Sequence, residues 1–278
     1  ERLLEELHDR DMRLIMDLVV NHTSDEHEWF EGSRQSDEPY DDYYHWAEGD
    51  PDDEPPNNWD SFFGGSAWSY DDERGEYYLH LFDEKQPDLN WRNEDVRDEV
   101  FEMMNWWLEK GIDGFRMDVI NLISKPEGLP DGDEDGGLTG EEQFSDGPNI
   151  EQYFAEMYER TLEGRDVMTV GEMINVDADR ATEYVGSDGF SMLIHFEHMG
   201  VDTGDGGKWT LADLDLHELK RIITDWQETL DEEGWNCLYL SNHDQPRAVS
   251  RFGDDGEYRV ESAKMLGTFL FTLQGTPF

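Results

Sequence analysis

The chain has 278 residues, enough for one large α/β domain, and a formal net charge of −48 from 69 acidic and 21 basic residues. Because nucleic acids and anionic membranes bind through Lys and Arg, this charge excludes both as expected partners. The acids alternate with ten Trp and clear apolar runs, which also excludes a disordered acidic chain.

A helix over 1–10 is the first predicted element, and an apolar strand over 13–22 follows it. The strand ends abruptly in Asn21 and His22, as a buried parallel strand does when it brings polar groups to the rim of a sheet. No strand precedes the helix, so we expect the chain to be part of a longer domain.

The next segment, about 24–91, is rich in Trp, Tyr, Phe, Gly and Pro and has turn signals and one strand-like run, Glu76–Phe82. A β/α repeat of a barrel takes about 30 residues, much less than this segment and its flanks. We therefore predict a small irregular insertion. A helix follows over 93–110, with Asn93 as N-cap, Gly111 just past its end, and an inner side that carries Trp106, Trp107 and Leu108.

Further strands are predicted to end near Val119, Glu172, Glu197 and Asp244, and a helix over 258–273 precedes the start of another strand at Gly275. Four segments place polar residues at strand ends in a fixed order: Asp17-Leu-Val-Val-Asn-His22, Gly114-Phe-Arg-Met-Asp-Val119, Gly171-Glu-Met173 and Asn242-His-Asp244. Together they resemble the four signature segments of the α-amylase family of glycoside hydrolases. A fifth, Gln86-Pro-Asp-Leu-Asn90, resembles the oligo-1,6-glucosidase and α-glucosidase branch of that family.

The resemblance covers nearly the whole chain and implies the α/β class, as a (β/α)8 TIM barrel that is incomplete here. Residues 1–23 would hold helix 2 and strand 3 of the barrel. Residues 24–92 would form the inserted domain B over the sugar site. Residues 93–278 would continue the barrel and stop near strand 8. By this comparison, the chain would lack the first two strands of the barrel and the C-terminal β-domain.

Hydrolysis of a glycosidic bond needs a proton for the leaving oxygen and a carboxylate beneath the oxocarbenium-like carbon, so two carboxyl groups are the minimum. The resemblance assigns Asp118 as the nucleophile and Glu172 as the acid and then the base. Arg116, two residues before Asp118 on the same strand face, is expected to keep Asp118 ionised. Glu172 has no Arg two residues away, so we expect its pKa to be raised.

The resemblance also makes Asp244 catalytic, since it would bind the sugar hydroxyls beside the anomeric carbon with help from His243 and His22. Asp17 would brace the barrel floor near Arg116. The alternative for each lone acid is a solvated rim residue, and for Arg116 and the two histidines a structural side chain. The order of the four segments favours the functional interpretation.

No cofactor is expected for catalysis. Four acids nevertheless have the spacing of a calcium-binding loop: Asp131, Asp133, Asp135 and Glu142. The flanks do not resemble the paired helices of an EF-hand, so a solvated acidic loop is favoured over a structural Ca²⁺ site.

Val119 follows the nucleophile, and in this family Val at that position accompanies α-1,6 substrates. The implied reaction is retaining hydrolysis of terminal α-glucosidic bonds in isomaltose-type oligosaccharides, through a covalent glucosyl-enzyme intermediate. Alternatives are a trehalose-6-phosphate hydrolase, a sucrose-active α-glucosidase or isomerase, and an inactive carbohydrate-binding relative. Sucrose isomerases have an arginine-rich loop after strand 6, whereas His198–Gly204 here contains no Arg, which favours hydrolysis.

The negative charge predicts a halophilic protein, because repulsion between the carboxylates is screened only when the Debye length falls to about 3 Å near molar salt. We therefore expect the cytoplasm of a salt-accumulating cell. The sequence has no apolar run of about 18 residues, so we predict no membrane-spanning helix in it.

Overall fold

The computed structural model describes residues 1–52, 54–133, 137–204 and 207–278. These form two compact units: the first unit is Glu1–Glu172 and the second unit is Met173–Phe278. In the described ranges, no helix combines the length and the apolar character that a membrane crossing requires.

The first unit contains a parallel and an antiparallel sheet. Its strands are β1 (Ile15–Leu18), β2 (Trp46–Glu48), β3 (Trp68–Asp71), β4 (Glu76–Leu79), β5 (Gly114–Met117) and β6 (Met168–Glu172). Its helices are α1 (Arg2–His8), α2 (Glu28–Arg34), α3 (Glu94–Glu109), α4 (Glu141–Phe144) and α5 (Ile150–Met157), with a 3-10 turn at Ile120–Leu122 and a π-helical segment at Tyr158–Leu162 after α5. Strand β5 pairs in parallel with both β1 and β6; β1 carries Asp17, β6 carries Glu172, and Asp118 follows β5 directly.

Helix α3 begins where the sequence predicts. The side chain of Asn93 accepts a hydrogen bond from the N–H of Asp95 at 2.8 Å, and Gly111, with φ of 97°, follows the last turn. The prediction for Trp106 is wrong, because this side chain is 52% exposed. It lies two residues from the fully buried Met104, and a step of two residues leads to the opposite side of a helix.

The antiparallel sheet lies within the segment predicted as an insertion. Strands β2, β4 and β3 pair in that order, and the strand predicted over Glu76–Phe82 is present as β4. Aromatic rings fill its core: Phe30 stacks on Trp46 with ring centroids 5.6 Å apart and meets Tyr78 edge-on. That residues 24–92 form a separate domain stays a prediction.

The second unit has shorter elements. Its strands are β7 (Met192–Ile194), β8 (Thr203–Gly204), β9 (Gly207–Leu211), β10 (Cys237–Leu238) and β11 (Thr276–Pro277). Its helices are α6 (Ala178–Ala181), α7 (Leu216–Glu233), α8 (Ala248–Phe252) and α9 (Arg259–Phe271), with a 3-10 turn at Glu197–Met199. Helix α9 and strand β11 confirm the helix predicted over 258–273 and the strand predicted to start at Gly275.

A buried aromatic cluster forms the core of the second unit. The rings of His195 and Trp226 stack with centroids 3.7 Å apart, and His198 lies edge-on to Tyr239. The hydroxyl of Tyr239 donates to the carbonyl of His195 at 2.6 Å. The strand predicted to run to Asp244 is shorter than expected, because β10 ends at Leu238, where its two-residue pairing with β11 stops.

Candidate active site

Arg116 forms ion pairs with three carboxylates in the first unit. Its Nη1 lies 2.8 Å from Asp17 Oδ1 and 2.5 Å from Asp118 Oδ1, and its Nη2 lies 2.7 Å from Glu172 Oε2. The guanidinium side chain is 8% exposed, and that of Glu172 is 3% exposed. The two carboxyl groups that the sequence assigns to catalysis therefore bind two nitrogens of one guanidinium.

Strand register explains why these side chains meet. Asp17 on β1 is the direct partner of Arg116 on β5, and Arg116 is in turn the direct partner of Val170 on β6. Side chains two residues apart in a strand point to the same face, so Glu172 shares a face with Val170 and hence with Arg116. Asp118 follows the last residue of β5 and completes the group.

The electrostatics of Glu172 correct one part of the sequence argument. Arg116 pairs with Glu172 from the neighbouring strand, a partner that residue spacing along a single strand does not reveal. Burial nonetheless raises the pKa of Glu172 above its ordinary value; the charge of Asp118 adds to this rise, and Arg116 and the N–H of Val119 oppose it. The expected direction is thus found, with desolvation as its main cause.

The same charges act on Arg116. Burial lowers the pKa of its guanidinium, but the attraction of Glu172, Asp17 and Asp118 outweighs that effect and raises the pKa overall. Arg116 therefore stays charged and balances part of the negative charge of the cluster. Asp17 is 58% exposed, so it contacts Arg116 as expected but from a solvated position.

His22 lies buried just beyond β1. Its Nε2 is 2.9 Å from the amide nitrogen of Gln86, and its ring lies at a tilt against Phe82 with centroids 5.2 Å apart. Burial lowers the pKa of His22, although the charges of Asp88 and Asp118 oppose the change. The imidazole is therefore neutral at neutral pH and can exchange hydrogen bonds with a hydroxyl group.

A buried ion pair that was not predicted from the sequence lies beside His22, whose backbone pairs with that of Asp88. Lys125 Nζ lies 2.6 Å from Asp88 Oδ2 and 2.8 Å from Asn21 Oδ1, and the side chains of Lys125 and Asp88 are both 0% exposed. Asp88 also accepts the N–H of Leu81 at 2.9 Å. The available signal was one lysine after the apolar run from Val119, in a chain that has few lysines.

Asp244 and His243 belong to the second unit. Their side chains are 55% and 68% exposed, and His243 Nε2 lies 3.2 Å from Asp244 Oδ2. The N–H of Asp244 donates to Asn242 Oδ1 at 2.9 Å, so a local side-chain turn, and not a strand end, presents the carboxylate. The catalytic role of Asp244 stays a prediction.

The predicted calcium loop is described only in part. Asp135 lies outside the described residues. Asp131 accepts a hydrogen bond from the N–H of Asn58 at 3.3 Å, and Glu142 accepts one from the N–H of Asp133 at 2.8 Å. Desolvation raises the pKa of Glu142, but hydrogen bonds, chiefly the one from Asp133, outweigh it and lower the pKa overall. In the parts of the chain that the structure covers, no group of three or more His, Cys, Asp or Glu is placed to hold a metal ion. A calcium site at the loop stays a prediction.

The site in the first unit can supply the two groups that glycoside hydrolysis requires. Asp118 lies at the end of β5 beside the guanidinium of Arg116, a position from which its carboxylate can serve as a nucleophile. Glu172 is buried and has a raised pKa, which suits a proton donor. Its Oε1 is buried without a hydrogen-bond partner among the described residues.

Comparison with known proteins gives one consistent family. The family described as the alpha-amylase catalytic domain matches residues 1–278. An oligo-1,6-glucosidase from Halalkalibacterium halodurans is 57% identical over 284 residues, which span all of this chain and 50% of that relative. A trehalose-6-phosphate hydrolase from Bacillus subtilis is 50% identical over all of this chain and 50% of its own length.

Among solved structures, the trehalose-6-phosphate hydrolase of Bacillus licheniformis matches with a TM-score of 0.90 and 49% identity, over 99% of this chain and 50% of that one. This chain spans about half the length of the curated relatives it matches. The matches confirm the predicted fold class, an α/β protein with an incomplete (β/α)8 barrel.

Proposed function

The chain belongs to the α-amylase family, and on that premise we propose that the protein hydrolyses terminal α-1,6-glucosidic bonds in isomaltose-type oligosaccharides with retention of configuration. The observation that carries this proposal is the shared guanidinium of Arg116, which binds the carboxyl groups of Asp118 and Glu172. Retaining glycosidases need such neighbours, with carboxyl groups about 5–5.5 Å apart.

In the first step, the carboxylate of Asp118 attacks the anomeric carbon and forms an ester bond. The glycosidic C–O bond breaks, its electron pair stays on the leaving oxygen, and that oxygen receives the proton of Glu172. In the second step, Glu172 takes a proton from water, and the resulting hydroxide attacks the anomeric carbon. The ester bond breaks, and its electron pair returns to Asp118.

The other residues have supporting roles in this proposal. Arg116 pairs with the carboxylate of Asp118, and His22 and His243 bind sugar hydroxyls together with Asp244. Asp17 holds Arg116 in place. Val119, beside the nucleophile, shapes the site for the leaving sugar and so favours the α-1,6 linkage.

The experiment is a turnover assay on the full-length protein in molar KCl, with isomaltose, maltose, sucrose and trehalose 6-phosphate as substrates. We expect isomaltose to give the highest kcat/KM, and NMR to show the α-anomer of glucose as the first product. Asp118→Asn or Glu172→Gln should each lower the rate by at least about a thousandfold without unfolding the protein. Initial release of β-glucose, or near-normal turnover in either variant, would contradict the proposal.

A second candidate is hydrolysis of trehalose 6-phosphate, because two of the similar proteins carry that name at 49% and 50% identity. The higher identity to an oligo-1,6-glucosidase, 57%, favours the first candidate. The same assay separates the two, since a trehalose-6-phosphate hydrolase would prefer the phosphorylated substrate over isomaltose. We further propose that the protein acts in a salt-rich cytoplasm.

A further inference from the structure

The backbone of Val119 has an unusual conformation. Its φ of 36° and ψ of 42° lie in the left-handed region, although the residue is β-branched and buried. Such a conformation costs about 1–2 kcal/mol for a residue other than glycine. Among the described non-glycine residues with positive φ, Val119 alone is β-branched. Local sequence preference therefore does not produce this turn, and the surrounding structure must enforce it.

The turn has a specific consequence for Glu172. It ends β5 directly after Asp118, and the N–H of Val119 points at Glu172 Oε2 across 3.4 Å. The carbonyl of Val119 accepts the N–H of Leu122 at 2.9 Å, which holds the turn closed. Arg116 Nη2 approaches the same Oε2 at 2.7 Å. Two donors therefore face one oxygen of Glu172.

The other oxygen of Glu172 has a different environment. Oε1 is buried, and no hydrogen-bond partner faces it in the described part of the chain. A carboxyl group carries its proton on the oxygen that faces fewer donors, because a donor N–H or guanidinium stabilises negative charge and repels an added proton. The two oxygens of Glu172 are thus chemically distinct.

We propose that the main-chain N–H of Val119, aimed by its left-handed turn, positions Glu172 by holding its negative charge on Oε2 together with Arg116, so that the proton of the neutral carboxyl group lies on Oε1. The proposal rests on the function proposed above and makes Val119 a positioning residue through its backbone. In the first step the O–H bond of Glu172 breaks, the proton passes to the glycosidic oxygen, and the electron pair stays on Glu172. In the second step Glu172 takes a proton from water.

In the described part of the first unit, few other charged groups lie close enough to Glu172 to affect its charge. Arg116 and Asp118 face Glu172 from β5 and its end, and Asp17 reaches the cluster from β1 through Arg116. None of these is changed by replacing the N–H of Val119. A single-atom substitution therefore tests the proposal.

The test replaces Val119 in the full-length protein by its α-hydroxy acid analogue, which changes the N–H to an ester oxygen and keeps the side chain. Loss of a donor to ionised Glu172 destabilises the charged form, so the basic limb of the kcat/KM profile should move to higher pH by about half a unit. The matched control is the same ester at Leu122, which removes the hydrogen bond within the turn but no donor to Glu172. Its basic limb should not move. An unmoved limb in the Val119 ester, or equal shifts in both, would overturn the proposal.

Neutron diffraction of the unmodified protein, at a pH below the basic limb, gives a second measurement that requires no variant. We expect deuterium on Oε1 of Glu172, and deuterium on Oε2 would overturn the proposal. Glu172→Gln in the same pH series distinguishes failure of the positioning role of Val119 from failure of the proposed glycosidase function. If this variant lacks the basic limb while the Val119 ester leaves the limb in place, only the positioning role fails. If the variant keeps normal activity, the proposed function fails.

Discussion

Arg116 and Glu172 form an ion pair of 2.7 Å between neighbouring parallel strands, yet the pKa of Glu172 is raised. Burial of a carboxylate that is 3% exposed, together with the charge of Asp118, outweighs the attraction of one guanidinium that Asp17 and Asp118 also share. The two carboxyl groups therefore differ in solvent exposure, since the side chain of Asp118 is 20% exposed and that of Glu172 only 3%.

The pH dependence of activity follows from this relationship. Glu172 must be protonated to act as the acid, so kcat/KM should fall as pH rises through its folded-state pKa, which lies above the ordinary value for Glu. A pH–rate series with isomaltose in molar KCl measures this limb. Glu172→Gln should remove the limb together with most of the rate, and a limb at the ordinary pKa of Glu would contradict the expectation.

The linkage preference should depend on Val119. Val119→Thr keeps the β-branch and nearly the same volume, and it adds a hydroxyl beside the nucleophile. We expect the ratio of α-1,4 to α-1,6 cleavage to increase, with neither activity lost, as measured by initial rates on maltose and isomaltose. Val119→Ile is the matched control, since it adds no polar group. An unchanged ratio in Val119→Thr would mean that residues elsewhere select the linkage.

The buried Lys125–Asp88 pair should contribute strongly to stability. Lys125→Met leaves Asp88 as an unpaired buried charge, and Asp88→Asn does the same to Lys125, so each should lower the free energy of unfolding by about 3–5 kcal/mol. The double variant buries no unpaired charge and should lose less than the sum of the two. Urea unfolding in molar KCl measures all three.

The control for that series is the exposed pair Arg10–Glu6, whose side chains are 60% and 57% exposed. Arg10→Met should barely change the unfolding free energy, because water and salt already screen this pair. Additive losses in the Lys125 and Asp88 variants would show that the two charges do not interact in the folded protein.

Stability in mild acid should be limited by the buried histidines of the second unit. Burial lowers the pKa of His198 to about 4, whereas the unfolded chain binds the proton near 6.5. Because the unfolded state binds the proton more tightly, stability is complete above 6.5 and falls as pH decreases towards 4. His198 alone should account for about 3 kcal/mol of that loss.

His198→Gln tests this contribution. Unfolding free energies measured from pH 7 to pH 4 at constant KCl should decrease less steeply in this variant than in the unmodified protein. His217→Gln, at an exposed position of α7, is the matched control and should keep the original slope. Equal slopes in all three proteins would exclude His198 as the source.

The net charge of −48 makes the dependence on salt testable. Repulsion between carboxylates is large in dilute buffer and is screened within a few Å near molar salt, so the full-length protein should lose structure or activity below roughly 0.5 M KCl. No single Asp→Asn change at the surface should matter much, because the repulsion is collective. Melting temperatures across a KCl series measure the effect, and a flat or falling curve would contradict the halophilic interpretation.

Much of the fold could be predicted from local patterns. Apolar runs that end in polar residues predicted the strands before Asp118 and Glu172, and Asn93 and Gly111 marked the ends of one helix. These signals are local, since they depend on the period of the side chains and on single turn residues. For the same reason the sequence also predicted that Arg116 and Asp118, two residues apart, share a face.

Only the tertiary structure decided which residues become partners across strands. The register of β5 with β6 places Arg116 beside Glu172, and no sequence period specifies that register. The burial of Lys125 against Asp88 joins residues 37 positions apart in the same way. The left-handed turn at Val119 even opposes the local preference of a β-branched residue, because the packing around Asp118 and Glu172 outweighs about 1–2 kcal/mol of backbone strain.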